Sequence, residues 1–307
     1  MSLPLPPSLC LTGVERDCPS GASARHEIVG DPHLTNWRYT AAERHREVRA
    51  RNAPEPDCYQ HWVRGKASAV QQVDRTISRS VRAVLLVLAK APVPGEVKTR
   101  LCPPASPAQA ARIAAAAFLD TLDAVLAVPD VAPVVALTGN LACAVDTAAL
   151  TERLRATTVL PQRGMTLGQR IATSITDAAA VVGNRPVLQI GMDTPQVDAT
   201  LLSRCLDRLV IDDVDTVFGL ATDGGWWCLG LRQPEQAGLL ADIPTSRPDT
   251  GARTLAVLRA ASARVVQLPE LSDVDTWDDA AAVATGVPGS RFAAAFAAAS
   301  TALDGHR

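Results

Sequence analysis

The chain has 307 residues, is 47% hydrophobic and carries a formal net charge of −2. This is an ordinary globular composition for one or two domains, and the near-neutral balance gives no basis for bulk nucleic-acid binding. No apolar run reaches the roughly 20 residues of a membrane-spanning helix.

The opening stretch "MSLPLPPSLCLTG" lacks a basic start and a long apolar core, so it does not read as an export signal. Seven scattered cysteines with no CxxC pair point to reduced thiols and a cytoplasmic protein. Residues 1–80 hold 11 Lys+Arg against 9 Asp+Glu, four of the five histidines and both tyrosines, with little apolar periodicity. A stretch such as "AAERHREVRARNAPEPD" buries too little apolar surface to offset the entropy of ordering. Residues 1–80 are therefore expected to be a mostly disordered extension, with a short helix near 40–51.

A regular pattern begins at residue 81. "VRAVLLVLA" (81–89) is a continuous apolar run suited to a strand buried on both faces. A helix is predicted over 106–128, with Ser106 as N-cap and Pro107 at its first position. Strand "APVVALTG", a helix near 143–155, short strand "TTVLPQ" and a helix over 165–182 follow. Next come strand "RPVLQIGMD" (185–193), a helix from Asp198 to Leu209, strand "DTVFGLA", and "WWCLGL", which follows a Gly-Gly break and suits an antiparallel insertion. A helix over 249–262, strand "RVVQLPEL" and a helix over 276–285 close a domain at 81–288, and the tail 289–307 is alanine-rich and expected to be helical over 290–303. Alternating strands and helices predict a three-layer α/β sandwich with a mainly parallel sheet.

In such folds ligands bind at the carboxyl ends of the strands. Four loops there carry unusual residues. "LAKAPVPGEVKTRL" (88–101) holds Lys90 and Lys98, two of only three lysines in the chain, together with Arg100. Pro92 and Pro94 stiffen the loop and Gly95 lets it turn. Cations fixed there suit a phosphate chain, although neither a Walker A motif nor G-x-G-x-x-G is present; an ordinary solvated basic loop is the alternative. In "IGMDTP" (190–195) Asp193 is a candidate ligand for Mg²⁺ or an N-cap. In "ATDGGWWCLGL" (221–231) Gly224-Gly225 permits close backbone approach and Asp223 is placed for an acceptor or a metal shell. Trp226 and Trp227 suit either stacking or core packing. In "LSDVDTWDDAAAVA" (271–284) capping accounts for Asp278 and Asp279 but less well for Asp275, which would join Asp193 in a two-carboxylate metal site.

Together "AKAPVPGEVKTRL", "QRGMTLGQR" (162–170), "IGMDTP", "DGGWWCLGL" and "DVDTWDD" occur in the order of a GT-A-like transferase family known as radical-SAM/selenodomain-associated transferase 1. That family is similar to the guanylyltransferase of deazaflavin-cofactor biosynthesis and, more distantly, to the molybdenum-cofactor guanylyltransferase. The resemblance covers about residues 82–286. It implies a nucleotide-diphospho-sugar transferase (GT-A) fold, a nucleotide substrate and Mg²⁺. The chain departs from the family's D-G-G-Y by carrying two tryptophans, which removes a phenol hydroxyl.

The GT-A fold hosts both nucleotidyl transfer from a nucleoside triphosphate and glycosyl transfer from a nucleotide sugar. The first is favoured by the cationic first loop and by a single acid, Gly191-Met192-Asp193, where glycosyltransferases carry D-x-D. A nucleotide-binding regulator without turnover is a third possibility. Lys98 and Arg100, helped by Lys90, are expected to hold the β- and γ-phosphates, with Mg²⁺ on Asp193 and Asp275. Gln162, Gly164 and Arg170 would shape the nucleotide pocket, or form a helix turn packed on the sheet. No histidine lies between residues 81 and 305, so a small acceptor that is already ionised, such as a phosphate, is expected.

Overall fold

The computed structural model describes residues 81–210, 214–261 and 264–304. The extension expected over 1–80, with its short helix, lies outside the described residues.

Seven strands form one sheet: β1 (Ala83–Lys90), β2 (Val131–Thr138), β3 (Thr158–Pro161), β4 (Val187–Gly191), β5 (Thr216–Leu220), β6 (Trp226–Leu231) and β7 (Val265–Gln267). Their order is β3-β2-β1-β4-β6-β5-β7. β6 pairs antiparallel with β4 and with β5, and every other pairing is parallel. The Gly-Gly break thus marks a hairpin whose return strand inserts between β4 and β5. The predicted strand "RVVQLPEL" is shorter than expected: pairing stops at Gln267 and resumes only as a single bridge between Ala221 and Leu271. Pro269, which has no N–H to donate, lies in that gap.

The described residues form seven α-helices: α1 (Pro107–Leu126), α2 (Thr147–Leu154), α3 (Leu167–Val182), α4 (Ala199–Val210), α5 (Thr250–Ala261), α6 (Trp277–Gly286) and α7 (Arg291–Asp304). α1 begins as its sequence predicts, with Ser106 and Gln109 in a reciprocal capping box and Pro107 at the start. α6 is capped the same way by Thr276 and Asp279, which leaves Asp275 free of capping. One sheet face packs on α1, α2 and α4 through Leu85, Val87, Phe118 and Leu206. The other packs on α3, α5 and the segment 234–241 through Leu86, Ile175, Leu229 and Leu258. A third cluster joins α1 to α6 and α7 around Phe292. The alanine-rich end is therefore a packed helix. Asp120 of α1 accepts from the Phe292 N–H at 2.9 Å and pairs with Arg291 at 3.0 Å, placing a negative charge at the positive end of α7.

This topology places the site. After β1 the chain moves outward to β2 and β3, then returns to lay β4 on the other side of β1. The connections leaving β1 and β4 therefore diverge and open a crevice at the strands' carboxyl ends.

Candidate active site

A cleft of about 700 Å³ occupies that crevice. It is lined by Lys90, Lys98 and Arg100 from the first loop, Asp193 after β4, Asp223 and Gly225 from the β5–β6 hairpin, and Asp273 and Asp275 after β7.

The loop after β1 is braced by its own backbone and by Lys90. The Glu96 N–H donates to the Val93 carbonyl at 3.0 Å, Gly95 turns with φ +81°, and Lys90 Nζ donates to the Glu96 carbonyl at 2.6 Å. Lys98 then adopts the left-handed conformation, φ 47° and ψ 41°. This is uncommon for a residue with a side chain and costs on the order of 1 kcal/mol or more. The turn delivers the Lys98 ammonium into the cleft, where Nζ lies 2.5 Å from Asp193 Oδ2 with only 11% of the side chain exposed. Burial works to lower the ammonium's pKa, but the Asp193 carboxylate, with Asp273 and Asp275 behind it, outweighs burial and the pKa is raised. Arg100, which is more exposed, pairs with Asp275 on the cleft lining.

Backbone hydrogen bonds stitch the acidic side together. The Val274 N–H donates to the Asp193 carbonyl at 3.0 Å and the Thr222 N–H to the Leu271 carbonyl at 3.0 Å. Gln196 Nε2 donates to the Ser272 carbonyl at 2.7 Å. The segment 271–275 is thus held between the β4 loop and the β5–β6 hairpin, and Asp193, Asp223, Asp273 and Asp275 converge. Asp273 records the crowding: burial first, then the charges of Asp193 and Asp223, push its carboxyl up to about 6, partly offset by Lys98. Asp273 joins the site although nothing in the sequence singled it out.

The remaining predicted residues divide. Arg170 lines the cleft and its Nε donates to the Gly164 carbonyl at 3.2 Å. Gln162 also lines it, but its amide donates to the Ala89 and Ala136 carbonyls at 2.8 and 2.9 Å and serves to tie β1 to β2. Gly95, Gly164 and Gly224 are not among the lining residues. Gly164 has φ +130°, and a Cβ there would stand 2.7 Å from that of Gln169. Gly224 has φ +87°, and a Cβ would stand 1.9 Å from the Pro248 carbonyl oxygen. The close approach that Gly224 allows is to the chain's own segment 244–250, which brings Thr245, Ser246 and Arg247 to the cleft. Nothing in the sequence of that segment marked it. The two tryptophans split: Trp227 is buried, its Nε1 donating to the Pro269 carbonyl at 2.9 Å, whereas Trp226 is half-buried on the cleft wall against Phe218.

A divalent cation can be tested against these donors. Among the described residues no group of three or more His, Cys, Asp or Glu side chains is placed to hold a metal by itself. The acids available are hard oxygen donors, and Mg²⁺ is usually held by one or two carboxylates together with substrate phosphates. The donor set fits a metal that arrives with a nucleotide.

A solved structure named "putative nucleotide-diphospho-sugar transferase", from Desulfovibrio desulfuricans G20, superposes with a TM-score of 0.63 at 24% identity, over 73% of this chain and 97% of that one. The fold is that of the nucleotide-diphospho-sugar transferases. Two further solved structures superpose less well, each with a TM-score of 0.40. A cytidylyltransferase from Leptospira borgpetersenii is 14% identical over 63% of this chain and 78% of its own. The Rv0371C complex with manganese from Mycobacterium tuberculosis H37Rv is 22% identical over 67% and 100%. Residues 121–247 match a family described as "uncharacterized protein conserved in bacteria (DUF2064)". No curated protein sequence matches the chain. Among the described residues no helix is long and apolar enough to cross a membrane.

Proposed function

We propose that the chain is a cytoplasmic, Mg²⁺-dependent nucleotidyltransferase that moves a nucleotidyl group from a nucleoside triphosphate to a small phosphorylated acceptor. The observation that carries this reading is the pairing of Lys98 with Asp193 and of Arg100 with Asp275 inside one cleft. Each cation is held by an acid suited to a divalent cation. Asp193 and Asp275 would hold a divalent cation brought with the triphosphate, which neutralises phosphate charge, and Lys98 and Arg100 would then be free to contact the phosphates. Lys98 and Arg100 hold the β- and γ-phosphates and Lys90 braces the loop that carries them. An ionised acceptor oxygen forms the new bond to the α-phosphorus, the bond from that phosphorus to the bridging oxygen breaks, and pyrophosphate leaves with the electron pair. No proton has to be removed from an ionised acceptor, in keeping with a core that has no histidine.

One observation favours glycosyl transfer from a nucleotide sugar as a second reading: Asp273-Val274-Asp275 sets two acids one residue apart on the cleft wall, the D-x-D spacing. Incubation with Mg²⁺, each nucleoside triphosphate and a panel of phosphorylated acceptors separates the readings. Pyrophosphate release supports nucleotidyl transfer. Consumption of a nucleotide sugar without pyrophosphate supports the second reading, and binding without turnover would leave a nucleotide-binding regulator.

A further inference from the structure

The nucleotide reading uses the charged end of the cleft. Its other sector, over the sheet face covered by α3, contains a residue that reading does not use. Gln189 sits at the middle of β4, in register with Leu86 of β1 and Leu229 of β6. It is a polar residue in an otherwise apolar strand, "VLQIG". Only 3% of it is exposed, it lines the cleft, and among the described residues its Oε1 has no hydrogen-bond partner. A buried acceptor left unpaired is costly, and native structures rarely keep one without a ligand, water or catalytic reason.

Two neighbours on the same side of the sheet narrow the ligand. Arg170, in the first turn of α3, donates only its Nε to a carbonyl, and among the described residues no carboxylate pairs with it. Lys98 and Arg100, by contrast, are both neutralised by acids. The terminal amino groups of Arg170 are thus left as a planar fork of the geometry that binds phosphate or carboxylate. Trp226 supplies an apolar wall, its ring set against Phe218 with centroids 5.8 Å apart. A cleft of about 700 Å³ can hold a second small molecule beside a nucleotide's phosphates.

We infer that this sector is the acceptor subsite and that the acceptor is a small organic phosphate. Arg170 takes its phosphate, Trp226 covers its carbon skeleton, and the Gln189 amide, whose oxygen is buried beneath the cleft surface, turns to offer Oε1 to a hydroxyl or amide on it. The inference rests on the nucleotidyl-transfer reading for the word acceptor, but the anion subsite itself can be tested separately.

Phenyl phosphate is a suitable probe, because it joins a ring to a phosphate. Its binding to the full chain would be measured by calorimetry, with and without Mg²⁺ and a saturating nucleoside triphosphate. Phenyl phosphate should bind in both conditions without displacing the triphosphate. Arg170→Ala should weaken it about ten- to a hundredfold, as for a lost charged hydrogen bond. Gln189→Leu should weaken a hydroxyl-bearing analogue, 2-hydroxyphenyl phosphate, about three- to tenfold more than phenyl phosphate itself. It should leave triphosphate affinity unchanged and the melting temperature equal or higher. The inference is overturned if phenyl phosphate does not bind, if it and the triphosphate exclude each other, if Arg170→Ala leaves its affinity unchanged, or if Gln189→Leu affects the hydroxyl-bearing analogue no more than phenyl phosphate. Failure of the triphosphate to bind the unsubstituted chain would instead count against the nucleotidyl-transfer reading.

Discussion

Lys98 Nζ lies 2.5 Å from Asp193 Oδ2, so two residues 95 positions apart meet as an ion pair at the mouth of the β1–β4 crevice. The ammonium is nearly buried, and its positive-φ backbone is compensated by what the side chain reaches. Removing the carboxylate would leave a buried cation with weaker partners. Asp193→Asn should therefore lower stability by about 1–3 kcal/mol, discounted from a fully buried pair because Asp193 is 30% exposed. Thermal unfolding checks the loss. An unchanged melting temperature would mean that Lys98 is held by Asp273 and Asp275 as well as by Asp193.

Lys98→Ala should weaken nucleoside triphosphate binding about ten- to a hundredfold and affect the monophosphate much less, since the lost contact is to the outer phosphates. Arg100→Lys should also be harmful, because a bidentate fork becomes a point charge. Titration of both variants with triphosphate and monophosphate decides this. Equal small losses for the two ligands would identify an ordinary solvated loop.

Asp275 is free of helix capping and, among the described residues, its side chain pairs with Arg100. Asp275→Asn should abolish the Mg²⁺ dependence of nucleotide binding while leaving the fold intact, as an exposed ion pair of this kind adds little to stability. Retention of full Mg²⁺ dependence would remove Asp275 from the proposed metal site.

Two glycines with similar backbone angles should respond differently to substitution. Gly95 has φ +81° and open space around a Cβ, so Gly95→Ala should cost about 1 kcal/mol of backbone strain. Gly224 has φ +87° and the Pro248 carbonyl 1.9 Å from its Cβ position, so Gly224→Ala must displace segment 244–250. A loss of several kcal/mol is expected there, together with weaker ligand binding at the cleft. Comparable melting temperatures for the two variants would refute the close approach.

The C-terminal helix should loosen in acid. Burial pushes the Asp123 carboxyl up, but hydrogen bonds from Arg153 and Arg291 outweigh it and hold the group below its ordinary value. A depressed carboxylate stabilises the fold above its unfolded pKa of about 3.9, and that contribution is lost as the pH falls through the folded value. Melting curves between pH 7 and pH 2 should show the unsubstituted chain converging on Asp123→Asn at the acid end. A gap between them that persists at pH 2 would show that the charge is not what Asp123 contributes.

Much of the fold was legible in the sequence because burial on both faces of a parallel strand writes itself as a continuous apolar run. "VRAVLLVLA" and "RPVLQIGMD" became β1 and β4, the pair that flanks the crevice. Ser106-Pro107 and the Thr276–Asp279 box fixed helix starts because capping is local chemistry. Gln189 was not singled out in the sequence, and only its place in the cleft lining and its unpartnered, buried amide oxygen made it more than a core amide. Arg247 and Ser246 could not be found, because they reach the cleft only where Gly224 lets Pro248 approach.

The sequence by itself determined which elements form and which loops carry charge, since periodicity, caps and turns depend on neighbours a few positions away. Only the tertiary structure decided which charges meet. Lys98 finds Asp193 and Arg100 finds Asp275 because strand order brings the ends of β1, β4 and β7 to one edge and the hydrogen bonds of Val274 and Thr222 lock segment 271–275 between them. Those pairings join residues far apart in the chain, and no local pattern encodes a distance that is fixed by packing across the sheet.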